Sequence, residues 1–143
     1  MKLHPSQRSA LAERICRRWI ARRGIRLAVP AVYLVRMKNY GSSVAGTCYW
    51  YRGIITLRVG PRASRRDQYI LLAHEFSHYI QHRAKGRSGR RSSTHGELFQ
   101  LILWRTVPRG LWKRASQGHW VLGSSAHDPK YQYTTEVEQE QAA

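Results

Sequence analysis

The sequence predicts an α+β fold: an N-terminal helix, a small, mainly antiparallel three-stranded sheet, and then two further helices. Three observations carry this prediction. Apolar residues recur at helical spacing near both ends of residues 5–107 and at strand spacing between them. Val29-Pro30 and Gly60-Pro61 mark the points where the period changes. Within the β-rich part, Arg52-Gly53 interrupts the run as a hairpin turn does.

The first helix opens at Pro5-Ser6. Leu11, Ile15 and Trp19 fall on one face, with Ala12, Cys16 and Ile20 beside them. Arg8, Arg14, Arg17, Arg18, Arg22 and Arg23 take much of the remaining surface, and Gly24 is the expected stop. Val32 to Met37 suits a strand, and Asn39-Tyr40-Gly41-Ser42-Ser43 suits a turn or loop. Val44 to Tyr51 and Ile54 to Val59 are β-rich runs. In the second of them, Ile55, Leu57 and Val59 alternate with Ile54, Thr56 and Arg58, which predicts one buried face and one partly exposed.

Ser64, with Asp67 three residues on, is an acidic form of the capping box and starts the central helix. That helix is expected to reach about Arg83, with apolar residues over a wide arc. It carries His74-Glu75-Phe76-Ser77-His78, an H-E-x-x-H pattern. Residues four apart share a helix face, so His74 and His78 can offer two imidazoles to one Zn²⁺. Glu75 sits beside the first ligand, where it can act as general base on a zinc-activated water. Two histidines and a glutamate inside a buried helix are costly without partners, and a metal would satisfy them.

Ala84 to Ser93 reads as a basic loop. Thr94 with Glu97 forms a second capping box, which puts His95 at the first position of another helix closed by Pro108-Arg109-Gly110. Leu111 to Leu122 suggests a short helix and then a strand, and Ser124 to Tyr133 reads as loop. One domain is expected over residues 1–133, with residues 134–143 a polar, acidic, disordered tail.

Composition narrows the partners. Lys plus Arg number 25 against 8 Asp plus Glu, a formal charge of +17. Such a surplus attracts polyanions, so DNA or another polyanion is an expected partner of the basic surface. Arg83, Lys85, Arg87, Arg90 and Arg91, in or beside the basic loop, are the candidate nucleic-acid contacts. No run is long and apolar enough to span a membrane, and the basic N-terminus lacks the apolar core of a secretory signal. No membrane partner, a cytoplasmic, non-secreted protein and a monomer are the resulting expectations, with a nucleoid or nuclear place if DNA is involved. The two cysteines, Cys16 and Cys48, exclude a disulfide framework and a separate four-cysteine zinc module.

A catalytic zinc needs a third protein ligand and an open position. His95 is the preferred third ligand, seventeen residues after His78. Glu97 competes, since some H-E-x-x-H enzymes use a helix-borne glutamate, but the capping box already employs it. His82 is one helical turn too far along, His119 and His127 lack a clear context, and His4 has no supporting neighbours.

Taken together, a helix, three strands, His74-Glu75-Phe76-Ser77-His78, a variable loop and His95-Gly96-Glu97-Leu98-Phe99 resemble the SprT-like, or Spartan-type, zinc metalloprotease domain. That family's recurring pattern is H-E-x-x-H followed by H-G-x-x-F, and the likeness covers roughly residues 5–107. The resemblance implies a zincin-like minimal metalloprotease, with zinc on His74, His78 and His95 and Glu75 catalytic. It also implies that the strand before the active-site helix, about 53–59, flanks the cleft. Eukaryotic relatives cleave proteins crosslinked to DNA, which would make this a DNA–protein crosslink repair activity. Many relatives add a cysteine zinc ribbon; no cysteine follows Cys48 here, so nucleic-acid contacts are expected from the Arg faces at 17–23, 62–66 and 83–91.

Three functions follow as expectations. The first is a zinc endopeptidase with one catalytic Zn²⁺ and a protein substrate, acting on DNA-associated or DNA-crosslinked proteins. The second is a basic nucleic-acid-binding module with a structural zinc. The third is a narrow-specificity processing peptidase with no DNA role.

Overall fold

The computed structural model describes residues 2–86, 89, 94–108 and 111. Ser9 caps the first helix, α1 (Ala10–Arg23), with its Oγ accepting from Ala12 N at 3.2 Å. Gly24 ends it in the left-handed region at φ 63°, as expected of a C-terminal glycine. Before α1, Pro5–Gln7 form a separate short turn, so the helix starts later than Pro5. The buried row is Ala12, Cys16, Trp19 and Ile20, whereas Leu11 is 62% exposed. The expected stripe through Leu11 is thus displaced to its neighbour, where the small Ala12 and Cys16 side chains allow close approach to the body of the protein.

The sheet comprises β1 (Ala31–Arg36), β2 (Val44–Tyr49) and β3 (Ile54–Val59). β2 and β3 form the expected antiparallel hairpin, joined by a tight turn at Trp50–Arg52 and by Gly53 at φ 67°. β3 also pairs with β1, in parallel, with Val32 opposite Ile55. The strand order is β1-β3-β2, so the sheet is mixed rather than mainly antiparallel. An up-down-up chain is all antiparallel only when β2 is central. Here β3 is central, and the chain after β1 crosses the end of β3 to reach the far edge. Two glycines permit that crossing: a Cβ on Gly60 would lie 2.1 Å from Gly41 O. Met37 N donates to Val59 O at 2.8 Å and Gly60 N to Ser43 O at 2.9 Å, which pins the crossing in place.

The start of α1 is tied to β1. Glu13 accepts from Arg8 Nη2 at 2.7 Å and from Val32 N at 3.1 Å, while Ser9 N donates to Val32 O at 2.8 Å.

The central helix, α2 (Arg65–Tyr79), has the expected cap, Ser64 Oγ accepting from Asp67 N at 3.0 Å. Every residue from Ile70 to Tyr79 is buried. Trp19 of α1 packs on Phe76 and Tyr69 at ring separations of 5.1 and 5.6 Å. The coil then widens into a π-type turn over Ile80–Ala84, so the regular α-helix ends before Arg83. The last described helix, α3 (Glu97–Thr106), packs on α2 through Phe99, Ile102 and Leu103. Arg23 links α1 to it, with Nη2 donating to Ile102 O at 2.8 Å and Thr106 Oγ1 at 2.9 Å. No helix among the described residues is long and apolar enough to cross a membrane. The expectations for residues 112–143, including the acidic tail, fall outside the described residues.

Candidate metal centre

His74 and His78 project from one face of α2, one helical turn apart, with ring centroids 5.0 Å from each other. His95 approaches from the turn before α3. Its Nε2 lies 3.2 Å from His74 Nε2 and 3.2 Å from His78 Nε2. One ligand atom from each of the three residues falls within 4.8 Å of the others, an arrangement able to hold a metal ion. Zinc–nitrogen bonds of ~2.0–2.1 Å in a tetrahedron separate the nitrogens by roughly 3.3–3.4 Å. The donor set and its spacing therefore fit zinc.

Phe99 organises the three rings. Its centroid is 4.5 Å from His78, 4.8 Å from His74 and 5.1 Å from His95. The aromatic wall fixes the ring planes and keeps water from that side. In the sequence Phe99 reads as core, although it is also the last letter of His95-Gly96-Glu97-Leu98-Phe99.

Burial holds the His78 imidazole well below its usual pKa, helped by His74, His95 and His82 nearby. Burial also lowers that of His95. Both rings thus stay neutral at pH 7, which is the form that binds a metal.

His95 precedes α3 rather than opening it. The helix starts at Glu97 with Gly96 as its N-cap and no side-chain cap hydrogen bond, so the expected Thr94–Glu97 capping box does not form. A glycine N-cap lets the chain turn sharply enough for His95 to reach back to α2. Glu97 is exposed and lies outside the cluster. His95 is thus the third residue, though not because Glu97 is engaged in capping. His82 is also outside it, packed between His78 and Trp50 at 6.2 and 5.8 Å. His4 caps the first turn, accepting from Ser6 N at 3.2 Å. His119 and His127 lie outside the described residues.

Glu75 is fully buried. Its side chain rests on Gly46 of β2, where a Cβ would stand 2.8 Å from Glu75 Cγ and 3.1 Å from Cδ. The sequence signal for this is a glycine inside a β-rich run, which often marks close approach of another chain. The strand under Glu75 is therefore the sheet-edge strand β2, while 54–59 forms the centre of the sheet.

Of the expected nucleic-acid contacts, Arg83 is engaged locally. Its Nη1 donates to Trp50 O at 3.0 Å and its guanidinium lies 5.9 Å from the Tyr79 ring centroid. Lys85 borders a cavity at the ends of α1 and α3. Arg87, Arg90 and Arg91 are outside the described residues.

Compared with known proteins, the chain matches no family model, no curated protein and no solved structure.

Proposed function

We propose that the protein is a zinc-dependent endopeptidase of the SprT-like kind. The observation that carries this reading is the approach of His95 Nε2 to within 3.2 Å of both His74 Nε2 and His78 Nε2, which share a helix whose next residue after the first histidine is a buried glutamate. A bound zinc supplies Lewis acidity and brings the pKa of a coordinated water toward neutrality.

The rest of the chemistry belongs to the chain. Burial of their rings keeps His78 and His95 neutral, so these two donors add no charge of their own. Phe99 holds the rings in their orientation. The Glu75 carboxylate takes a proton from the attacking water and returns it to the nitrogen of the leaving amine. Gly46 leaves the space that this side chain occupies. A structural zinc site has no use for a base beside its ligands, which favours the enzyme over a purely structural metal.

The substrate in this reading is a protein associated with, or crosslinked to, DNA, and the +17 charge supports that setting. The test compares Glu75→Gln with the parent on an unfolded protein, with and without DNA. The variant is expected to keep its zinc and lose proteolysis, and DNA is expected to speed the parent. Equal proteolysis by both proteins would overturn the role of Glu75. Proteolysis indifferent to DNA would point to a processing peptidase instead.

A further inference from the structure

A cavity that the histidine cluster does not use opens where α1 and α3 end. Its volume is about 400 Å³, and Arg22, Arg23, Lys85 and Arg105 all border it, with no aspartate or glutamate among the described lining residues. Cations in the last turn of a helix complement its dipole, and that accounts for an arginine at each helix end. It does not account for four cations from three segments around one space. The Arg105 charge disfavours the Arg23 cation, and an entering anion relieves that repulsion.

Arg23 is held in place rather than left in solvent. Its Nη2 donates to Ile102 O at 2.8 Å and to Thr106 Oγ1 at 2.9 Å, and Thr106 Oγ1 donates to Ile102 O at 2.8 Å. Burial, and then the nearby Arg105, hold its guanidinium below the ordinary arginine pKa. A preorganised guanidinium, with further arginines beside it, suits the oxygens of a phosphate. Ile25 and Ile80 add an apolar wall. Cationic and apolar walls around one cavity of this size suit a ligand with both a phosphate and a flat ring.

We propose that this cavity binds the phosphate of a nucleotide unit, with the arginines on its oxygens and the isoleucine wall against the base or sugar. The unit can belong to a single-stranded nucleic acid or to a free nucleotide. The site is independent of the metal reading, because none of its residues belongs to the histidine cluster.

The test uses the full chain and a fluorescent ten-residue oligothymidylate, read by anisotropy at several salt concentrations, with AMP and inorganic phosphate as competitors. Arg22→Gln/Arg105→Gln is expected to weaken binding at least tenfold. Its salt slope should flatten by about 1.4, the value for two lost phosphate contacts on a single strand. A control of equal charge, Arg36→Gln/Lys38→Gln, at two exposed positions outside the cavity and outside the Arg faces, is expected to stay within twofold. Competition by AMP that depends on the arginine pair supports the site and identifies the nucleotide unit as its ligand. Pair-dependent binding of the oligonucleotide without AMP competition supports it with a polymer source, and pair-dependent binding of AMP alone supports a free nucleotide. Equal losses in both double variants would mean a diffuse basic surface and would overturn the proposal, as would no loss in the cavity pair. Should the double variant fold poorly, Arg105→Glu, at an exposed position, is expected to weaken binding by the same tenfold, and unchanged binding there would overturn the proposal as well.

Discussion

Gly46 of β2 stands directly under Glu75 of α2: a methyl group added at Gly46 would sit 2.8 Å from Glu75 Cγ and 3.0 Å from Leu71 Cδ1. Neither side chain can move away easily, because both are buried in the same packed helix. Gly46→Ala should therefore destabilise the protein by ~1–3 kcal/mol, the usual cost of overpacking a core. It should also displace Glu75 and reduce proteolysis at least tenfold while zinc stays bound. Thermal melts, metal analysis and a peptidase assay on one preparation check this, and full activity in a folded Gly46→Ala protein would contradict the placement of Glu75.

The three Nε2 atoms define a metal site that can be counted. One zinc per chain is expected, lost on prolonged chelation with a fall in melting temperature. At free zinc a thousandfold above Kd, the linkage contributes about 4 kcal/mol. His95→Ala should abolish tight binding and leave the apo fold intact, since His95 as a whole is exposed and only its ring is drawn in against His74 and His78. Glu97→Ala should bind zinc as the parent does. The reverse pattern would make Glu97 the third ligand.

Acid should loosen the junction of α1 and β1. The hydrogen bond from Arg8, and a further one from Val32 N, hold the Glu13 carboxyl below its usual pKa of 4.5. A carboxylate with a lowered folded pKa contributes stability above the unfolded value, and that contribution is lost as pH falls through the folded value. Glu13→Gln should therefore melt below the parent at pH 7, and the gap should close at pH values below 4.5. A gap that stays constant down to strongly acid pH would show that the ionised carboxylate is not what matters.

Both cysteines should be inert in the native protein. Burial pushes the Cys16 thiol up to about 12, and Cys48 is also raised well above its usual 9.0. A disulfide reagent at pH 8 is expected to label neither until denaturant is added, and then both. Rapid native labelling would mean that the core beneath α1 opens readily.

Much of the candidate site is legible in the sequence because its signals are local. His74 and His78 share a face by helical spacing, Ser64 announces the helix that carries them, and Gly24 and Gly53 mark reversals that need a positive φ. His95 follows from its spacing, but the capping argument that sets Glu97 aside does not hold. Thr94 and Glu97 have the letters of a capping box, yet Gly96 takes the cap and frees the chain to turn.

What the sequence determined by itself was the element content, the helix caps and the histidine pattern, because each depends on residues within one or two turns of each other. Tertiary structure decided the rest. The order β1-β3-β2 depends on two backbones crossing at Gly41 and Gly60, which are distant in sequence. The buried row of α1 was settled by which side chains let it pack closely. Phe99 became a wall for three imidazoles, and Gly46 a seat for Glu75, only when α3 and β2 met α2. Close packing is selective over distances of a few tenths of an ångström, and no one-dimensional period carries that information.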